Sequence, residues 1–214
     1  MSRVLDRMTD SPTADIARAE GLAGRASATS PRYAPAHFVK GQLLRVQNRY
    51  AEAIPEFETV LAIKPNDAST LHALGECKLL TGLMDEVIPL EQHAIRLDPR
   101  DPHIGFKYAR IGLVQLLQSR TDEAIRSLER AASAEPEFFY PHAMLAAAYG
   151  LKSEAGRAAS ELAETRRLLA LVGLDSYSTI ARLRAVGYWG DPKIRGLYEA
   201  TFFAGLRKAG MPEE

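Results

Sequence analysis

Between residues 34 and 172, apolar side chains recur at three- and four-residue steps, the spacing of one face of an α-helix, in runs that end at a polar break or a proline. The runs come in pairs. Within a pair the break is short and polar, QNR at 47–49, TG at 81–82 and QSR at 118–120, and the pairs close at Pro31, Pro65, Pro99 and Pro136, spaced 34, 34 and 37 apart. Alternating β-branched runs and Asn-Gly hairpin turns are missing, so the pattern predicts an all-α chain built from repeated helical hairpins.

Aligned on the prolines, other residues fall into phase. Gly41, Gly75 and Gly112 stand 24 positions before the closing proline, Ala19, Ala53, Val87 and Ala124 stand twelve before it, and Ala23, Phe57, Glu91 and Leu128 eight before it. A helix-interior glycine costs about 1 kcal/mol relative to alanine, so three at one phase predict a place where two helices meet too closely for a side chain. Phe57 and Leu128 are expected to fill the wedge opposite. Glu91 at this apolar phase predicts either a shifted second helix or a locally open interface. In IKPND (63–67), Pro65 disfavours helical geometry at Lys64 and has no N–H to continue the ladder. Asn66 and Asp67 are suited to turn the chain and cap the next helix.

This pattern resembles the tetratricopeptide repeat. The resemblance implies a right-handed superhelical solenoid of antiparallel helix hairpins. Units are expected at 34–67, 68–101, 102–138 and 139–172, after an N-terminal half-repeat or cap at 1–33 and before a C-terminal helical cap at 173–214. The third unit carries three extra residues, most simply the PHI segment (102–104) at the start of its first helix. The fourth keeps Leu145, Ala146, Tyr149, Ala158 and Leu162 but has no closing proline.

In the C-terminal cap, Asp191 and Pro192 form a helix start, Ile194, Leu197, Tyr198, Thr201, Phe202 and Leu206 share one face, and Gly210 ends the helix before Pro212. An amphipathic end helix covers the last exposed apolar face of a solenoid. Gly187, Tyr188, Trp189 and Gly190 read as the corner that anchors it. RLDPRDP (96–102) and FFAGLRKAGMPEE (202–214) are similar to the repeat region of bacterial class III adenylate cyclases and related regulators. No cyclase catalytic domain fits in this helical chain, so the resemblance implies a regulatory or docking module without that activity.

Twenty-seven basic and 27 acidic residues cancel, which argues against nucleic acid or an anionic membrane as partner. Cys77 is the only cysteine, ruling out an intramolecular disulfide or a multi-thiolate metal site. The first residues lack a signal-peptide pattern and no window reaches the length of a membrane span, so the expected location is cytoplasmic. Phosphate-loop, dinucleotide, zinc-protease and nucleophile-elbow motifs are missing. The expectation is therefore a protein that is not an enzyme and uses no cofactor. His72, Glu76 and Cys77 share a helix, but only His72 and Glu76 share a face, which leaves a metal short of ligands. His37, His93, His103 and His142 show no shared spacing at this level.

First helices line the concave face in the resembled family. One turn apart, the groove positions are Phe38, Gln42 and Arg45, then His72, Glu76 and Leu79, then Ala109, Leu113 and Leu116, then Ala143 and Ala147. A groove grading from polar to aliphatic suits an extended peptide or amphipathic helix of a partner protein. Phe38 and Gln42 replace the Lys and Asn with which some family members grip a terminal carboxylate, so no such clamp is expected. Three alternatives are the tail filling the groove, an oligomerisation or spacer array in place of a monomer, and a small-molecule sensor with its ligand near Leu113 and Ala147.

Overall fold

A computed structural model describes residues 12–30, 32–174, 177–186 and 189–214. Pro31, Gly187 and Tyr188, and residues 1–11 of the expected N-terminal cap, lie outside this set. Among the described residues there is no strand. A single helix, α1 (Pro12–Thr29), packs on the first of four antiparallel hairpins. These are α2 (Ala34–Val46) with α3 (Tyr50–Ile63), α4 (Ala68–Leu80) with α5 (Val87–Leu97), α6 (Ile104–Leu117) with α7 (Thr121–Ala134), and α8 (Phe139–Leu151) with α9 (Ala155–Leu171). Each hairpin stacks on the next, giving a solenoid.

The turn inside every hairpin has the same construction. Asn48, Gly82, Ser119 and Ser153 occupy equivalent positions and all have positive φ. The following N–H reaches back five residues, from Arg49 to the Leu44 carbonyl and likewise in the other three turns, at 2.8–3.0 Å. This left-handed residue with a six-to-one bond satisfies carbonyls that a helix end would otherwise leave open.

Between hairpins the joint is proline and cap. α3 ends at Ile63, and Asp67 accepts a 2.8 Å hydrogen bond from the Thr70 N–H to start α4. In the third unit, α6 starts five residues after Pro99, whereas α4 starts three after Pro65. Only one of the three extra residues therefore extends the helix, and the other two lengthen the connection. Asp101 holds that connection by accepting from the His103 N–H at 2.8 Å and pairing with Lys107.

The three phased glycines are contact points. A Cβ on Gly41 would lie 2.7 Å from the Phe57 ring, one on Gly112 2.6 Å from Leu128, and one on Gly75 2.8 Å from the Glu91 carboxylate. Ala53, Val87 and Ala124 are fully buried beside them.

After the fourth hairpin come α10 (Ile180–Val186) and a long C-terminal helix made of α11 (Pro192–Tyr198), a π-helical segment (Glu199–Phe203) and α12 (Ala204–Lys208). Asp191 caps α11 by accepting from the Ile194 N–H at 2.9 Å. The π-helical turn departs from the single uninterrupted helix expected. It swings the buried face so that Phe203 joins Ile194, Tyr198, Thr201, Phe202 and Leu206 inside, while Leu197 is only partly covered. No helix among the described residues is long and apolar enough to cross a membrane.

Candidate functional site: the first-helix groove

The groove positions lie on α2, α4, α6 and α8, and they divide into two halves. Phe38, Gln42, Arg45, His72 and Glu76 are partly exposed, whereas Leu79, Ala109, Leu113, Leu116, Ala143 and Ala147 are all buried. The buried six belong to one continuous core that also contains Ile194, Tyr198, Phe202, Phe203 and Leu206 of the C-terminal helix. The chain's own tail therefore occupies this end.

The tail is seated by small residues. A Cβ on Gly205 would fall 2.3 Å from the Ala147 carbonyl oxygen, and one on Gly150 2.3 Å from the Gly205 carbonyl oxygen, so α12 crosses α8 backbone to backbone. At its other end the Asp191 N–H donates to the Leu80 carbonyl at 3.0 Å, just after Gly190 turns the chain with φ of 81°. Trp189 anchors that corner, stacked edge-on against Tyr198 and Phe203 at 4.9 and 5.1 Å, with its Nε1–H on the Arg184 carbonyl at 3.2 Å. The helix thus runs from the end of α4 across α6 to α8.

The open half is organised by charge. Arg45 Nη1 lies 2.6 Å from Glu76 Oε2, and its Nε donates to Gln42 Oε1 at 2.8 Å. From α6, Arg110 reaches the same Glu76 oxygen at 3.1 Å and brings its Nε within 2.8 Å of Glu91 Oε1, an ion pair whose N–H is not aimed along the contact. His72 bridges Glu91 at 2.8 Å through Nδ1 and Arg110 at 3.3 Å through Nε2. A proton on Nδ1 and a lone pair on Nε2 satisfy both contacts. Burial alone would raise the Glu76 carboxyl, but Arg110 and Arg45 outweigh it and hold its pKa below the usual range. Burial likewise disfavours charge on Arg110, and Glu76 and Glu91 overcome it.

This ladder corrects both readings of Glu91. The helix is not shifted and the interface is not open: Glu91 is fully buried, its carboxylate fits against Gly75, Arg110 pairs with it and His72 hydrogen-bonds it. His72 and Glu76 do share a face, as expected, but two arginines already engage it, and a metal ion there would face like charge. Cys77 points into the core, where burial pushes its thiol up to about 12. Such a thiol is not a nucleophile at neutral pH.

The histidines also share a spacing after all. His37 pairs with Glu56 and His142 with Glu161, both at 2.7 Å and nineteen residues apart, and the two histidines occupy the same position in the first and fourth units. His72 and Glu91 are also nineteen apart. This offset from first to second helix is visible in the sequence and would have located the pairs. Beyond the ladder, burial pushes Tyr140 on α8 up to about 12 and Tyr198 on the tail well above its ordinary value.

Residues 34–67 match the family model described as tetratricopeptide repeat. No curated protein sequence matches the chain. Among solved structures, the chain is similar to MamA at 18% identity and TM-score 0.66, over 75% of this chain and 92% of that one. It is similar to PilW, a type IV pilus biogenesis factor, at 18% identity and TM-score 0.64, over 91% and 90%. It also resembles YrrB, described as a tetratricopeptide-repeat protein with an unusual peptide-binding site, at 18% identity and TM-score 0.61, over 78% and 84%. With the family match inside the first of four congruent hairpins, these likenesses give the chain the fold of the tetratricopeptide-repeat solenoids.

Proposed function

We propose that the protein is a non-enzymatic scaffold that binds a segment of a partner protein in the open half of its groove, at Phe38, Gln42 and Arg45, with His72 and Glu76 at the inner end. The observation that carries this reading is the division of the groove: the tail fills one half and leaves the other uncovered. Phe38 stands edge-on to Phe57 at 6.1 Å, and Val39 beside it is 44% exposed. An apolar side chain of the partner would rest there. Polar main-chain or side-chain groups would meet Gln42 and the Arg45–Glu76 pair. YrrB, a neighbour in fold, is described as having an unusual peptide-binding site, which supports this reading. The regulatory role rests on the resemblance of residues 96–102 and 202–214 to cyclase-associated repeats.

Placing a photo-crosslinking amino acid at Val39, with a control at exposed Lys193, tests the proposal in cells that make the protein. The expected result is an adduct with another protein at Val39 that disappears when Phe38→Ala is added. Adducts at both positions alike, or none at Val39, would reject it. A Val39 adduct of twice the chain mass would favour the oligomerisation array instead.

A further inference from the structure

A second cavity, of about 410 Å³, opens between α5 and α7 with α6 as its floor. The groove positions do not line it. Tyr108 and Ile111 supply an apolar base, and Arg96 on α5 faces Arg126 and Arg130, one helical turn apart on α7. All three arginines are exposed, and among the described residues none is in an ion pair. The lone acidic lining residue, Glu123, is held by Arg120 through a 2.9 Å hydrogen bond in a two-point pair. Deep in the cavity Gln115 is only 8% exposed; its Oε1 accepts from the Ser127 hydroxyl at 2.7 Å, and its Nε2 has no acceptor among the described residues.

We propose that this cavity is a second binding site and takes an acidic segment of a protein partner, with carboxylates flanking an apolar residue. The apolar residue lies on Tyr108 and Ile111, and one carboxylate accepts from Gln115 Nε2. Arg96, Arg126 and Arg130 bind the carboxylates on either side, a task to which the planar guanidinium is suited. Charge complementarity selects this occupant. The chain as a whole has no net charge, so attraction is confined to the cavity and does not extend to a polyanion at long range.

Fluorescence anisotropy with a dye-labelled twelve-residue peptide carrying Glu-Leu-Glu units, and with its Gln-Leu-Gln counterpart, tests the site. The wild-type protein should bind only the acidic peptide. Arg126→Glu with Arg130→Glu should weaken binding by at least about tenfold, since each lost charge-assisted hydrogen bond is worth that much or more. Gln115→Leu should weaken it several-fold, and Phe38→Ala should leave it unchanged, which separates this site from the groove. Failure of the wild type to bind, equal binding by all variants, or indifference to Gln115→Leu would overturn the proposal; the last would mean general attraction to surface arginines. Displacement by inorganic phosphate at concentrations matching the peptide would also overturn it in favour of a small-anion site.

Discussion

The two ends of this solenoid pack the same interface with different chemistry at its centre. In the first and third hairpins a glycine backs onto hydrocarbon, Phe57 or Leu128, while in the second it backs onto Glu91. The consequence is a divided core. Leu44, Tyr50, Ala53, Phe57, Ala73, Leu74, Cys77 and Leu80 form one cluster, and the third and fourth hairpins with the tail, joined by Leu79 and Val87 of the second, form another, much larger one. The buried ion ladder lies near the division. The tail is added to the larger core, so the half with more apolar packing is also the half without an open groove. Binding surface and packing compete for the same first-helix positions, and the tail decides the outcome.

The strongest way to break that asymmetry is Gly205→Val. Its side chain would have to displace backbone atoms of Ala147, so the cost should exceed about 3 kcal/mol, beyond the usual range for overpacking. The expected signature is a red shift of emission from Trp189, the single tryptophan, with hydrogen-exchange protection of α2 and α3 preserved. Loss of protection in both halves together would show that they are one cooperative unit.

Next in size is the ladder. Glu91→Leu leaves Arg110 buried with one carboxylate fewer and should cost about 3–5 kcal/mol, the usual penalty for breaking a buried pair. Adding Arg110→Leu should return most of that loss or exceed it, because hydrocarbon of similar volume commonly replaces a buried pair without penalty. Urea unfolding of the single and double variants reads both numbers, and a harmless single variant would refute a structural role for the ladder.

A smaller effect is expected from pH. The Glu76 pKa is lowered in the folded protein, so its contribution is present above the unfolded carboxylate value of about 4.3 and is lost as pH falls from there through the folded value. Stability measured on acidification should fall less steeply for Glu76→Gln than for wild type. The smallest effect sharpens the comparison of turns. Ser119→Gly relieves a left-handed serine but frees the unfolded chain, so the net gain should stay below about 1 kcal/mol. Asn48→Gly should gain less, since asparagine tolerates that conformation better. Thermal midpoints of the two variants would order them.

The frame of hairpins was legible because proline, glycine and alanine enforce it locally: Pro65 ends a helix and Asp67 caps one without regard to distant residues. Glu91 stood out as a violation, but its resolution needed Arg110, which occupies a position held by Val39, Ala73 and Met144 in the other units. Two violations of opposite sign are one interaction, and only their three-dimensional juxtaposition joins them. The amphipathic tail was equally plain, and its Asp191 cap is where it was expected. That it would fill the groove was one alternative from the sequence, but the crossing point was not legible, because it depends on the bare backbone of Gly150, which replaces Arg45, Leu79 and Leu116 of the other units, meeting the bare backbone of Gly205. Gly150 and Gly205 fall outside the recurring glycine phase of Gly41, Gly75 and Gly112, so no recurrence marks them. The division of the groove followed from that meeting.

The way the chain comes back on itself adds one more consequence. The first N–H groups of α10, on Ile180 and Ala181, donate to the carbonyls of Pro212 and Glu213 at 3.0 and 2.9 Å, and Arg184 grips Glu213 at 2.7 Å. The segment that seals the groove is therefore a loop knotted by hydrogen bonds at its base, not a ribbon with a loose end. These bonds hold the segment at its base, so the fraying that ordinarily starts at chain ends is opposed there before Ala147 is bared. Opening at Ala147 should therefore be more cooperative than ordinary end fraying, and the amides of α11 and α12 should exchange at similar rates.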